Sequence, residues 1–480
     1  MECVHRCGHK GFDIGGVAME EYIKILLEQI RCKKACPKIE EEIRSHIEEQ
    51  AKANMEEGME EEEALKAAVL DMGDPVETGV ALDGIHKPQI AWDMILLIAF
   101  ISLISIAIHI VIGMGAEEIG SQSRHRYVMQ SIGYVGIGFL LMLRVYRLDY
   151  SILGKYGKLC ALGFLAGALL LTWSMVTSAH LVVGTTSVNG QMYLNMGAML
   201  FSPKHLAFLY VPVYGAVLFQ YRKTGWKGVI GALLFLVVPV WFVWHIPCVS
   251  TAIQLLLILS VMLSAAVIKD WFLIPKKIFL GIYWGIMIFL PVMMVFLAAG
   301  GRILAPYQQA RIQVFLNRSS GESGYLSRML SDYLAGSRMF GAGKPDVAGH
   351  LPNYYSDYIL TFLSGCYGIA AACGICLLLC VLAARAFRIA LLQRNQLGMM
   401  IGLGCSLTLF TNTAVNIAEN FSLLPAMESY LPFFSHNGSG IIVSYILIGF
   451  VLSVYRYKNI PLAVSARPHR LLRGWRKEQC

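Results

Sequence analysis

Charge is what this sequence has least of. Of its 480 residues 15% are Asp, Glu, Lys or Arg and 56% are hydrophobic, where a soluble chain carries nearer a quarter charged residues. With a mean hydropathy of +0.57, the composition excludes an ordinary soluble enzyme of several domains. Residues 1–18 lack both periodicity and the apolar core of a signal peptide, and they read as a disordered extension. The twelve cysteines lack a framework. Cys373, Cys376 and Cys380 fall inside one apolar run, and the C-x3-C pairs Cys3/Cys7 and Cys32/Cys36 have no second ligand pair at zinc spacing. Free thiols on the reducing side are expected. No inverted repeat and no pair of Gly/Pro-broken spans marks a transporter's midplane site.

What is present divides the chain in two. Residues 19–87 hold more than half of all Asp and Glu and read as a small cytosolic helical domain. Ile39, Ile43 and Ile47 form an i, i+4, i+8 stripe with Glu on the opposite face. Gly58 should end that helix, and Asp74-Pro75-Val76-Glu77 supplies an N-cap, a proline at the first helical position and an acid at the third. The stretch IEEEIRSHIEEQAKANMEEGMEEEEALKAAVLDMGDPVETG resembles the permease prefix (HAAS-type) domain placed ahead of bacterial membrane proteins, which implies a regulatory or docking role. The same glutamates read equally as a solvated helix face.

From about residue 90 onward come apolar runs of about 20 residues, the length that crosses a bilayer as helix. They fall near 92–115, 127–146, 152–176, 203–220, 227–245, 250–268, 278–300, 358–383, 397–418 and 439–456. The fold expected is therefore all-α, a polytopic membrane protein with about ten transmembrane helices behind a small soluble helical domain. Arg144/Arg147/Lys155/Lys158, Arg222/Lys223/Lys227, Lys269/Lys276/Lys277, Arg385/Arg388/Arg394 and a basic tail at 457–480 all fall on one side. Positive charge stays cytoplasmic, so both termini are expected inside. By the same rule the net charge of +8 reads as topology, and no nucleic-acid partner is expected. Residues 301–357 then form an external segment too long to be a mere connection.

That segment reads PYQQARIQVFLN (306–317), GYLSRMLSDYLAGSRMFGAG (324–343) and LPNYYSDYILTFLSGCYG (351–368), and the last external loop reads NIAENFSLLPAMESYLPFFSHNGSG (416–440). In order and spacing, these blocks over residues 92–456 resemble the SEDS family (RodA/FtsW/SpoVE) of cell-wall polymerases. The resemblance implies a glycosyltransferase of the bacterial cytoplasmic membrane. Such an enzyme polymerises lipid II, an undecaprenyl diphosphate-linked disaccharide, beside a class B penicillin-binding protein that crosslinks the product, in elongation, division or sporulation. The chemistry needs a general base for the acceptor hydroxyl and positive charge for the departing diphosphate. Asp357 matches the family's essential aspartate and Arg311 the arginine of its Y-Q-x-x-R-I block; Tyr307, Gln308, Asn416 and Ser435 match further family positions, expected on the substrate side, with a structural rather than catalytic role favoured for each. A plain helix cap is the alternative for Asp357, and membrane-surface anchoring for Arg311. His436, which replaces a family aromatic, reads as a loop residue. A divalent cation (Mg or Mn) would suit the diphosphate, but no ligand beyond Asp357 is readable.

Several charged family positions are missing. Its E-E-x-G is here Gly365-Cys366-Tyr367-Gly368, its A-R-R-W loop is Gln191-Met192-Tyr193-Leu194, and its Q-P-S-E-x-x-K block is Ser202 to Phe208, where Lys204 and His205 restore some positive charge slightly out of place. Two readings follow: a divergent polymerase, favoured because Asp357 and Arg311 remain, or a degenerate member that binds lipid-linked precursor or a partner without catalysis. A lipid flippase or transporter ranks third.

Overall fold

The computed structural model describes residues 14–33, 35–115, 121–176, 185–188, 191–196, 199–245, 249–299, 325–343, 350–424 and 429–459. Two compact units are formed, one by Met1–Ile90 with Arg456–Cys480 and the other by Ala91–Tyr455.

The first unit is built from α1 (Ile14–Glu28), α2 (Cys36–Glu56), α3 (Glu61–Asp71) and α4 (Pro75–His86). Helix α1 begins at Ile14, inside the stretch 1–18 read from the sequence as a disordered extension, and buries Tyr22, Ile23 and Leu26. The Ile39/Ile43/Ile47 stripe of α2 is buried, α2 packs against α3, and Ala64 and Ala68 of α3 are fully buried. Gly58 ends α2 with φ of +102°, a backbone state that costs glycine nothing. Asp74 caps α4 by accepting the Val76 N–H at 3.1 Å, with Pro75 at the first helical position. Asp83, 4% exposed, ties α4 to the end of α1 by accepting the Arg31 N–H at 2.9 Å and pairing with its guanidinium at 3.1 Å. Beside Arg44, whose guanidinium donates to it, Glu20 is held below the usual carboxylate range. Ile47 is fully buried, so Ile47→Ala is expected to cost this unit about 2–5 kcal/mol. Hydrogen exchange across residues 36–56 of the full-length protein would register the loss, and Glu48→Ala should leave that exchange unchanged.

In the second unit, eight helices among the described residues are long and apolar enough to cross a membrane. They belong to α5 (Trp92–Gly115), α6 (Ser121–Arg147), α7 (Ser151–Val176), α10 (Trp226–His245), α11 (Val249–Ile268), α15 (Ile369–Leu391), α16 (Gln396–Asn420) and α17 (Gly438–Arg456). The two other expected spans are also helical. One runs from α8 (Pro203–Leu206) through a 3-10 turn into α9 (Tyr210–Gln220), and the other is α12 (Lys276–Ala299). Shorter helices α13 (Tyr325–Ala335) and α14 (Ile359–Tyr367) complete the set.

Helix α16 is the centre of the packing. Met400, Ile401, Cys405, Thr408, Asn412 and Asn416 are each at most 1% exposed, while Phe410 is 47% exposed, so one long face of the helix is packed into the bundle. The connections that carry the basic clusters are hydrogen-bonded to one another at one end of the bundle. Lys223 N–H donates to the Trp271 carbonyl at 2.7 Å, the Gln220 amide to the Gly154 carbonyl at 2.9 Å, Arg222 to Gln396 Oε1 at 3.0 Å, Asn395 to the Tyr150 hydroxyl at 3.0 Å and Ser453 to the Leu148 carbonyl at 2.6 Å.

Two local features depart from the sequence reading. The span expected at 358–383 is broken at Gly368 (φ +100°), where a Cβ would lie 2.7 Å from the Met339 carbonyl oxygen, so the membrane-length helix is α15 and α14 stands apart as its own short helix. The stretch near 191–194, read as a loop, is β2 (Gln191–Met196) of a three-stranded antiparallel sheet with β1 (Thr185–Val188) and β3 (Met199–Phe201). Val188 pairs with Gln191 across Asn189-Gly190, a dipeptide favoured between hairpin strands.

Candidate active site

Asp357 lies in a run of turns, residues 352–358, that enters α14. Pro352 opens the run and Asn353 adopts φ of +53°, which Asn tolerates better than other side chains. The Asn353 carbonyl accepts the N–H groups of Ser356 at 2.9 Å and Tyr358 at 3.3 Å, while Leu351, Tyr358 and Ile359 are buried beneath. The side chain of Asp357 is nearly buried, 8% exposed, and its Oδ1 accepts the Ser356 hydroxyl at 3.1 Å. The N-cap position of α14 is Tyr358, so the simple cap role does not fall on Asp357.

Three consecutive carbonyls of this turn are gripped from the last loop and the end of α16. His436 N–H donates to the Tyr355 carbonyl at 3.0 Å and Ser435 Oγ to the Ser356 carbonyl at 2.8 Å. The Asp357 carbonyl accepts two side-chain amides, from Asn416 at 2.9 Å and Asn420 at 3.0 Å. Asn420 Oδ1 in turn accepts the Thr361 N–H at 3.1 Å and its hydroxyl at 2.9 Å, which sets the first turn of α14 against α16. Ser435 also accepts the Leu431 N–H at 2.7 Å, closing its own loop. Buried carbonyls left without donors are costly, so this grip holds the Asp357 backbone in one place.

Of the residues singled out in the sequence, the structure brings together Asp357, Asn416 and Ser435. The hydrogen bonds of Asn416 and Ser435 go to the backbone around the aspartate and to the loop itself. Arg311, Tyr307 and Gln308 lie outside the described residues. Sequence reasoning missed Glu419 and Asn420, which share the Asn416 face of α16 at i+3 and i+4. The signal was there, since polar side chains inside an apolar span persist mainly for function.

His436 is more than the loop residue expected from sequence. Its Nδ1 pairs with the Ser131 hydroxyl at 2.8 Å, and its ring packs against Tyr127 (4.1 Å between centroids), His109 (5.5 Å), Tyr355 (5.8 Å) and Tyr134 (5.9 Å). Burial, with His109 close by, pushes its pKa down to about 3. An unfolded histidine binds protons near pH 6.5, so between about pH 6.5 and 3 the unfolded state holds the extra proton. Stability from this group is thus complete above about pH 6.5 and falls as pH drops toward 3. His436→Phe is expected to flatten that acid limb in thermal melts recorded against pH.

Lys204 and His205, read as stray positive charge, are 6% and 2% exposed at the start of α8. His205 Nδ1 pairs with Ser439 Oγ at 2.9 Å, and its ring meets Tyr430 edge-on at 4.7 Å. His205 therefore joins the segment that carries Ser435 and His436. Among the described residues no group of three or more His, Cys, Asp or Glu could hold a metal ion.

A bundle of membrane-length apolar helices, with a clamped carboxylate in a polar cluster at one end, defines a multi-pass membrane protein. The family model described as "Cell cycle protein" (FtsW/RodA/SpoVE) matches residues 89–460, and the chain belongs to that family. Among its relatives is the probable peptidoglycan glycosyltransferase FtsW of Thioalkalivibrio sp., 28% identical over 178 residues that span 35% of this chain and 44% of that protein. The protein of the same name from Geobacter sulfurreducens is 24% identical over 339 residues, 68% of this chain and 85% of its own. Two solved structures share the fold. A chain from a peptidoglycan synthase complex, studied for coordination of polymerization and crosslinking, aligns with TM-score 0.58 at 21% identity over 76% of this chain and 98% of that one. A mutant of the Thermus thermophilus rod shape determining protein RodA aligns with TM-score 0.51 at 18% identity over 77% and 98%.

Proposed function

We propose that this protein is a peptidoglycan glycosyltransferase that polymerises lipid II into glycan strands. The observation that carries the proposal is the Asp357 turn, whose three carbonyls are held by His436, Ser435, Asn416 and Asn420. A carboxylate fixed in this way, nearly buried at the end of the bundle, suits a general base that takes the proton of the acceptor sugar hydroxyl as the glycosidic bond forms. The bond that breaks joins the donor sugar to its lipid diphosphate, and Arg311 is assigned to the charge developing there. Tyr307 and Gln308, of the same sequence block, are assigned to substrate binding. Asn416 and Ser435, matched to substrate-side positions by resemblance, act here by holding the turn.

The orientation follows from charge. The basic connections gathered at one end of the bundle support a reading in which that end faces the cytoplasm, with both termini inside and the Asp357 turn outside. A class B penicillin-binding protein is the partner that would crosslink the strands, in keeping with the synthase complex whose chain shares this fold. Residues 19–87 act as a regulatory or docking module of the prefix type; deleting residues 1–87 should change partner association or localisation while leaving polymerisation intact, and unchanged localisation and association would remove that role.

The test is incubation of the purified full-length protein with labelled lipid II. A ladder of glycan strands is expected, and Arg311→Ala should reduce strand synthesis at least about tenfold, as expected for loss of a charge-assisted contact to the diphosphate. The absence of strands under all conditions, with lipid II still bound, would establish the non-catalytic reading. That reading draws on one feature of the structure: Gln191-Met192-Tyr193-Leu194, where the family has two arginines, is strand with no cation among its residues.

A further inference from the structure

Glu419 is a buried carboxyl group that the mechanism above does not use. It is 0% exposed, and it is not among the residues that the resemblance to the family singles out. Its Oε1 accepts the Tyr358 hydroxyl at 3.2 Å. Its Oε2 accepts the Ser429 N–H at 3.2 Å and, in a shorter contact, the Ser429 hydroxyl. Tyr358 directly follows Asp357, and Ser429 stands at the head of the loop that delivers Ser435 and His436 to the same turn. Asn416 completes the circuit by donating to the Ser429 carbonyl at 3.2 Å and to the Asp357 carbonyl at 2.9 Å.

Asn416, Glu419 and Asn420 are spaced i, i+3 and i+4, so they project from one face of α16. The two amides donate to the carbonyl of Asp357, while the carboxyl accepts from the next side chain and from the loop that closes over them. A position that only needed packing would be filled by an apolar side chain, because burying a carboxyl group is costly unless its oxygens are satisfied.

We propose that Glu419 is a positioning residue for Asp357, fastening the Tyr358 side of the turn and the Ser429 end of the last loop to α16. The inference rests on Asp357 as the base, and it concerns where that base is held. Loss of the carboxylate acceptor frees residues 353–361 to move, and the aspartate then meets the acceptor hydroxyl less often in the reactive geometry.

Two variants separate this from a general packing role. Glu419→Gln keeps the size of the side chain but replaces one accepting oxygen with a donor, and Tyr358→Phe removes one donor alone. In the full-length protein, each is expected to raise amide exchange over residues 353–361 about tenfold, the effect of one lost buried hydrogen bond, with exchange in α17 unchanged. Turnover of labelled lipid II should fall by a similar factor at unchanged KM, and the double variant should be no worse than Glu419→Gln alone. Exchange at 353–361 like the wild type's, or raised equally throughout the bundle, would overturn the proposal. The exchange readout does not depend on turnover. If the wild-type protein makes no strands yet the local exchange rises as stated, the polymerase reading fails, and what stands is that Glu419 fastens the turn around Asp357. If Asp357→Asn abolishes synthesis while Glu419→Gln leaves exchange and turnover unchanged, only the positioning role fails.

Discussion

Asp357→Asn is expected to abolish glycan strand synthesis, with a loss of about 100- to 10,000-fold, the range a positioned general base contributes. The substitution preserves the size of the side chain and the backbone carbonyl that Asn416 and Asn420 grip. The amide oxygen can still accept the Ser356 hydroxyl as Oδ1 does now. The fold and lipid II binding should therefore survive, and thermal melts of the two proteins should coincide. What is lost is the capacity to take a proton. The measurement is strand length and amount from labelled lipid II, beside a binding curve for the same lipid. Equal strand synthesis by both proteins would remove Asp357 from the mechanism.

The second large effect is expected at Asn416. Its amide donates to the carbonyls of Asp357 and Ser429, and the side chain is fully buried. Asn416→Leu fills the same space but leaves Ser429's carbonyl without this donor and the Asp357 carbonyl with Asn420 alone. Each buried group that loses its partner costs about 1–3 kcal/mol, so the melting temperature should fall clearly, unlike that of Asp357→Asn. Displacing the aspartate should also slow strand synthesis by about 100-fold, the sensitivity seen when a reacting group moves by roughly an ångström. Ser435→Ala removes the bond to the Ser356 carbonyl and the acceptor of the Leu431 N–H, but leaves both amides on the Asp357 carbonyl, and should fall between wild type and Asn416→Leu in strand synthesis. An Asn416→Leu protein with full activity would show that the carbonyl grip has no bearing on catalysis.

Much of the architecture was readable residue by residue. The Ile39/Ile43/Ile47 stripe is buried as its spacing required, and Asp74-Pro75 starts a helix because one accepts an orphan N–H and the other lacks one. The apolar runs became helices because a backbone in hydrocarbon must satisfy its own hydrogen bonds. The break at Gly368 was not readable, because a glycine in an apolar run can equally sit inside a helix; here the approach of the Met339 carbonyl and a positive φ decide it. The pairing of β1 with β2 has a local signal, because the sequence between them is Asn189-Gly190, a dipeptide favoured between hairpin strands.

The candidate site divides in the same way. Asp357 stood out because its surrounding block has an ordered set of neighbours in a known family, and Asn416 and Ser435 came with it. Glu419 and Asn420 share a helix face with Asn416, a relation present in the spacing, yet their partners lie 59–63 residues away at Tyr358, Thr361 and Asp357 or on the following loop at Ser429. His436 matched a turn motif, and nothing local shows that Ser131 and Tyr127 would meet it from a helix some 305 residues earlier.

The sequence by itself determined that the chain lives in a membrane, where its helices run and which connections carry the positive charge, because those follow from local hydropathy and composition. Only the tertiary structure decided what the polar residues do. A buried hydrogen bond is a relation between two distant segments, and whether Asn416, Glu419 or Ser435 faces lipid, substrate or the Asp357 turn depends on which helices pack around α16. The sequence marks the donors and acceptors, and the packing assigns their partners.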